Sequence, residues 1–432
     1  MSKGTKSYGT GRYGLRMALG ALLMAAVGQL ASAATWCVNP GGSGGCQSTI
    51  GGAVALASPG DTIQVAPGTY AGGVVIGIPV SIVGAGSANT IINANGLSTG
   101  IYIDGLDNPG LANVAVTGFS IVNANFEGIL VTNAWYVTLS SNTLFNNNKS
   151  LNATTATCPG QPDFETAEGF DCGEAIHLSG AAYSTVANNT IYNNAGGILL
   201  SDDTGQTTHN LITGNVVTNN PFDCGITLAS HPPAAITGAS APFGVTHNTI
   251  AANQSSNNGL GVHGAGAGVG MFTFLPGGTV SGNAVIANRL TGNGLPGVAI
   301  HGHSPGENLS GNMIVGNHIS GNSADTEDAA TPGPTGINAF GVSPLTGLII
   351  SQNVIQSETD DIVVNNPASI DIHFNDLRDG VGVANIGPGT ANATQNWWGC
   401  SGGPGAPGCG NVSGTGVAWT PWLSGPFLPR RF

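Results

Sequence analysis

Short runs of alternating aliphatic and polar residues, each closed by Asn or Gly, recur along most of the chain. The unit is an Asn, two residues that include an aliphatic, one or two polar residues, and then Asn or Gly. It reads Asn142-Thr-Leu-Phe-Asn146, Asn189-Thr-Ile-Tyr-Asn193, Asn215-Val-Val-Thr-Asn219 and Asn248-Thr-Ile-Ala-Ala-Asn253. It continues at Asn288-Arg-Leu-Thr-Gly-Asn293, Asn317-His-Ile-Ser-Gly-Asn322 and, more weakly, Asn353-Val-Ile-Gln-Ser357. A second run, opening on Gly, follows: Gly128-Ile-Leu-Val131, Gly173-Glu-Ala-Ile-His-Leu178, Gly197-Ile-Leu-Leu200, Gly225-Ile-Thr-Leu228, Gly297-Val-Ala-Ile-His301 and Gly336-Ile-Asn-Ala-Phe340.

Strands of three to five residues put alternate side chains inward, and Ile, Val and Leu hold those positions. Asn and Gly tolerate left-handed backbone at the bends, and Asn at equivalent corners can stack amide on amide. The pattern predicts an all-β solenoid, a single-stranded parallel β-helix, with a repeat of roughly 25 to 45 residues. Residues 149–170 and 323–335 read as inserted loops. Only one helix is predicted. Ile50, Ala53, Val54 and Ala57 have helical spacing, with Ser48 or Thr49 as N-cap and Pro59-Gly60 as the stop. It would cap the first coil, whose apolar cross-section is otherwise bare. The cap regions are expected at about 35–60 and about 394–432.

The first 33 residues differ. Lys3, Lys6, Arg12 and Arg16 precede an apolar run from Met17 to Leu30, and Ala31-Ser32-Ala33 supplies a small-x-small cleavage site. That is a signal peptide, so residues 34–432 form the expected mature β-helix domain, secreted or periplasmic, with no membrane insertion after cleavage. The chain is 7% charged with a formal charge of −13, and the leader takes four of its nine Lys and Arg residues. No basic groove can be built from the rest, which excludes nucleic acid and anionic membrane as partners. Seven cysteines in an exported chain imply disulfides. Cys37 with Cys46 and Cys400 with Cys409 are short-range pairs. Cys158 can join Cys172, leaving Cys224 free, or Cys158 can join Cys224.

The run Ser58-Pro-Gly-Asp-Thr-Ile-Gln-Val-Ala-Pro-Gly-Thr-Tyr70, followed by Val80-Ser-Ile-Val-Gly84, resembles the opening of secreted right-handed β-helix repeat proteins of the pectate-lyase-like superfamily, NosD-like proteins included. Asn396-Trp-Trp-Gly-Cys-Ser-Gly-Gly-Pro-Gly405 is similar to a C-terminal segment of the same group. The resemblance implies a right-handed coil. It leaves activity open, because the fold hosts lyases, hydrolases, epimerases, adhesins and carriers.

Candidate chemistry gathers between residues 163 and 303. Stacked coils place equivalent positions about 4.8 Å apart, so one outward stripe can collect residues remote in sequence. Aligning Ile176, Ile198, Ile226 and Ile300 puts His177, Thr227 and His301 on that stripe, with Ser179, Ser201, Ala229 and His303 two residues on. Asp203 and His231 lie beyond, and Asp202, Glu174 and Asp223 lie nearby. Glycosidases need two carboxyls within several ångströms. Asp203 against Asp223 or Glu174 meets that need, with Asp202 beside them and His177, Thr227 and His231 as substrate-binding candidates. The plainer account makes Asp202-Asp203-Thr-Gly205 a turn. His301-Gly-His303 puts two imidazoles on one side of a strand, a candidate site for a divalent metal ion as cofactor. The repeated Phe-Asp-Cys-Gly at 170–173 and 222–225 suggests inward Phe and Cys, with no basic neighbour to activate the thiol. Asp325-Thr-Glu-Asp328 reads as a solvated acidic turn, and Tyr70, Trp397 and Trp398 read as packing residues.

Two functions fit. One is an enzyme or binding protein acting on polysaccharide along the outward stripe, with hydrolysis favoured over polyuronate lysis because basic residues are scarce. The other is a non-enzymatic envelope or metal-associated β-helix.

Overall fold

The computed structural model describes residues 33–148, 160–165, 173–232, 238–327 and 329–427. Of the expected leader, only Ala33 falls among them, and Cys158, Cys172 and most of the 149–170 insertion lie outside. The described chain winds as a parallel β-helix. Three long sheets contain 14, 12 and 11 strands, a fourth contains three, and every named pairing between strands is parallel. The inward rows are aliphatic columns. One runs Ile63, Ile82, Val116, Leu139, Val186, Ile212, Ile250, Val285, Ile314, Ile350, Ile372. Each of these side chains is fully buried, worth about 1.5–3 kcal/mol apiece before entropy is charged.

Corners are made by two adjacent residues. The first takes positive φ, as at Ser141, Asn188, Gly214, Ala252 and Ala287, all between 54° and 65°. The second is an Asn whose side chain turns inward and bonds the next coil. Asn142, Asn189, Asn215, Asn253, Asn288, Asn317, Asn353, Asn375 and Asn396 form one such ladder, each backbone N–H donating to the next Oδ1 at 2.8–2.9 Å. A second ladder runs from Asn147 through Asn194, Asn220, Asn258 and Asn293 to Asn322. A third joins Asn210, Asn248, Asn283 and Asn312. Asn248 thus sits one corner earlier than the repeat alignment places it, and Asn253 partners Asn215. Asn248-Thr-Ile250 carries the Asn-x-aliphatic signature of the first-ladder corners and Asn253-Gln-Ser255 does not, so the pattern alone selects the wrong corner.

The helix spans Ile50–Leu56, with Thr49 Oγ1 accepting from Gly52 N at 3.0 Å and Ile50, Ala53 and Val54 buried against the first coil. Cys37–Cys46 and Cys400–Cys409 are disulfides, and Cys224 is a free, buried thiol, which removes the Cys158–Cys224 alternative. Cys224 does not enter the coil interior as its motif suggests. It packs with Ala267, Leu295 and Ala299 in a small cluster apart from the main core, and Phe222 is only partly buried. Tyr70 is buried, its hydroxyl donating to Ala66 O, and Trp398 is fully buried in the core.

Candidate functional site

The 12-stranded sheet carries the candidate chemistry on its outer face. His177 at the centre of strand Glu174–Ser179 pairs in register with Leu130 and Leu199, and Leu199 with Thr227. Two residues on, Ser179, Ser201, Ala229, Phe272 and His301 form the next outward row. His301 is therefore two residues further along than the alignment on Ile300 implies. Val298, not Ile300, is level with Val269 and Ile226. Both Val298 and Ile300 point inward, so alternation preserved the face of His301 but not its row.

His177 is fully buried and forms the hub of a network drawn from five segments. Its Nδ1 lies 2.7 Å from Glu127 Oε1 and 2.6 Å from Glu165 Oε1, and its Nε2 lies 2.7 Å from Ser201 Oγ. Ser201 Oγ donates to Asp203 Oδ2, which also meets His231 Nδ1 at 2.9 Å. Burial alone would depress the His177 pKa, but the Glu165 and Glu127 carboxylates outweigh it and hold the ring well above its usual range. An imidazolium satisfies the geometry: Nδ1–H faces the glutamates and Nε2–H faces a hydroxyl that itself donates onward. Glu127 is pushed up to about 8 by burial and the Glu165 charge, against the pull of His177. Glu165 is raised by burial despite His177. For Asp203, burial is overcome by His231, His177 and Ser201, which hold it ionised.

Asp202 and Asp203 divide the work of one turn. Asp202 accepts from His231 N at 2.7 Å, Ser230 Oγ at 2.9 Å and Gly244 N, pinning two later segments to the turn. Asp203 faces the histidines instead. Glu174 and Asp223 flank Gly196 on either side. Glu174 Cγ lies 3.0 Å, and Asp223 Oδ2 3.2 Å, from where a Gly196 Cβ would stand. The two side chains, from the coils before and after Gly196, thus converge on the space over that glycine. Asp223 also accepts from Thr227 Oγ1 at 3.0 Å. Glu174 joins this pair to the hub, because an oxygen of Glu174, one of Glu127 and a His177 nitrogen all lie within 4.8 Å of one another.

Beyond Asp223 the face opens into a pocket of about 130 Å³, lined by Asp223, Thr227, Phe272, Phe274, His301 and His303 among others. His301 Nε2 lies 2.7 Å from Asp325 Oδ2 and 3.1 Å from Asn338 Nδ2, while His303 Nδ1 meets Thr273 O at 3.0 Å. Asp325 is buried rather than solvated, since its loop folds back over the sheet onto His301. Among the described residues, two groups of three ligand atoms are close enough for one cation: Glu127, Glu174 and His177, and Glu165, His177 and Asp203. Neither includes His301 or His303.

Sequence reasoning brings together His177, Asp203, His231, Glu174, Asp223 and Thr227, and misses Glu127 and Glu165. Glu127-Gly-Ile-Leu130 has the same form as Glu174-Ala-Ile-His177, one coil away, so Glu127 had a signal. Glu165 arrives from an insertion whose path no periodicity describes.

Residues 80–271 match the family described as right handed beta helix region. No curated protein matches the chain. Among solved structures, DFA-IIIase from Arthrobacter chlorophenolicus A6 without its lid, in complex with GF2, is 15% identical, with a TM-score of 0.59 over 91% of this chain and 100% of that one. The same enzyme in complex with DFA-III gives 14% identity and a TM-score of 0.50 over 88% and 85%. An alginate lyase from Paenibacillus sp. str. FPU-7 gives 16% identity and a TM-score of 0.40 over 89% and 99%. The parallel coils, their aliphatic columns, the family match over residues 80–271 and the DFA-IIIase likeness give the chain the fold of a right-handed parallel β-helix.

Proposed function

We propose that this protein is an exported carbohydrate-active enzyme that hydrolyses glycosidic bonds in a neutral glycan, with Glu174 and Asp223 as its paired carboxyls. The observation that carries this reading is the gap at Gly196, where two carboxyl side chains from different coils converge beside a pocket. Glu174 touches the His177 hub, where a proton is held between Glu127, Glu165 and the imidazole. It is suited to deliver a proton to the leaving oxygen, and Asp223, which lines the pocket, is suited to attack the anomeric carbon. Glu127 and Glu165 keep the hub cationic, Ser201 and Asp203 tie it to His231, and Thr227 orients Asp223. The DFA-IIIase structures, solved with GF2 and DFA-III, support a carbohydrate ligand for this architecture. The Cys37–Cys46 and Cys400–Cys409 disulfides support export. A thiol mechanism has no support, since burial and the Asp223 charge hold Cys224 well above its usual pKa.

The test is a panel of neutral and acidic polysaccharides incubated with purified protein, with and without chelator. New reducing ends and the absorbance of unsaturated products are both followed. Reducing ends should appear on a neutral glycan, and Glu174→Gln and Asp223→Asn should each lower the rate about a thousandfold with the fold intact. Unsaturated product would replace hydrolysis with lyase chemistry, and silence across the panel would reject the enzymatic reading.

A further inference from the structure

The sequence places polysaccharide action along the outward stripe, but the stripe is roofed. On the N-terminal side, Phe164 packs over Leu130, and both Leu130 and Leu199 are almost wholly buried. On the C-terminal side, Asn338, Val363 and Ala384 occupy the same outward row and are no more than 1% exposed. The Asp325 loop lies over His301 and closes that side. Between these roofs sits the pocket, walled by the segment Gly264–Gly266 and by Leu295. A polysaccharide cannot lie across the coils here. It can only present an end.

We infer that this pocket takes the single terminal ring of a neutral sugar chain, so that cleavage proceeds from a chain end. The inference rests on the reaction proposed above and adds its substrate mode. A cavity of about 150 Å³ is known to admit one six-membered carbon ring, and this pocket has about 130 Å³ and an open mouth. Among its lining, Phe272, Phe274 and Leu295 supply apolar surface that suits the C–H face of a sugar. Asp223, Thr227, His301 and His303, interleaved with them, offer polar atoms to hydroxyl groups. Among the described residues no Lys or Arg lines it. Arg289 lies in the 11-stranded sheet and Arg378 pairs with Asp376, so an acidic sugar would meet Asp223 with neither of them beside it.

Two measurements test this together. The first follows product length over time on the glycan that the protein cleaves. Short saccharides should appear from the outset while the mean chain length barely falls, and an early ladder of intermediate lengths would overturn the inference. The second measures binding of neutral methyl glycosides and the matching uronates by ligand-observed NMR. At least one neutral glycoside should bind and the uronates should not. Phe274→Ala, at a half-exposed position outside the catalytic pair, should weaken binding about tenfold. Uronate binding equal to or tighter than neutral, or no monosaccharide binding at all, would overturn it. Intermediate-length products would leave hydrolysis standing and sink the end-on mode. Glycoside binding without cleavage of any glycan would keep the pocket and sink the reaction.

Discussion

Two sets of buried polar residues run along this coil, and they behave differently. The corner ladders repeat one residue. Within a ladder an Asn accepts from the coil before it and donates to the coils on both sides, as at Asn253, which accepts from Asn215 N and donates to Ile212 O and Asn288 Oδ1. An amide carries both a donor and an acceptor, so the row satisfies itself indefinitely. The outer face of the 12-stranded sheet instead stacks unlike groups: Glu127, Glu174, His177, Ser201 and Asp203. Donors and acceptors do not alternate along this row, and the set does not close on itself. Buried Glu127 Oε2 and Glu165 Oε2 have no hydrogen-bond partner among the described residues. Repetition in this molecule marks structure, and the break in repetition marks chemistry.

The contrast is sharpest at the hub. His177→Ala should destabilise the fold by about 3–5 kcal/mol, because it strands Glu127 and Glu165 as buried carboxyls without their shared partner. Chemical denaturation measures this, and a change within error would mean that the network contributes nothing to folding. In the ladder, Asn253→Ala removes donor and acceptor together and leaves Asn215 facing a void. About 2–3 kcal/mol should be lost, with the turnover of the folded enzyme unchanged. Loss of turnover in the folded variant would blur the division between the two sets. Gly196→Ala inserts a methyl group between Glu174 and Asp223 at contact distances that require both to give way. Turnover should fall about tenfold with little change in melting temperature. Unchanged turnover would show that the gap is not the reacting site.

The smallest effect lies where the second ladder ends. Glu358 takes the place of the next Asn, both oxygens accepting from Asn322 N at 3.1 Å. Burial, reinforced by the Asp379 charge, pushes its pKa up to about 7 from 4.5. Between those values the folded protein keeps a proton that the unfolded chain has released. Stability from this group is therefore full below about pH 4.5 and declines as the pH rises to about 7. Melting curves across that window should show the decline in the native protein and a flatter profile in Glu358→Gln. Equal slopes would assign the pH dependence elsewhere.

How much of this is legible in sequence depends on the range of the rule involved. Left-handed corners, Asn stacking and inward aliphatics are decided within five residues, so the coil, the capping helix and two disulfides can be read directly. Parity along a strand survives any even slip, which is why His177, Thr227 and His301 are correctly placed on one face. Row does not survive it, which is why His301 is placed two residues short of its true position along the strand. Asn248 slips by one corner because Asn248-Thr-Ile250 has the sequence signature of the corner that Asn253-Gln-Ser255 occupies. Glu165 and the burial of Asp325 depend on loops folding back over the sheet, and nothing periodic describes where a loop lands. The roof over the stripe is invisible for the same reason.

The central claim is that Glu174 and Asp223 act as a close pair, and product stereochemistry tests it most directly. A pair separated by about 5–5.5 Å acts through a covalent glycosyl intermediate and retains anomeric configuration, whereas a wider pair admits water directly and inverts it. Proton NMR of the first sugar released, recorded before mutarotation, distinguishes the two. The account predicts retention, with no retained product from Asp223→Asn. Inversion, or retention that persists in Asp223→Asn, would contradict it.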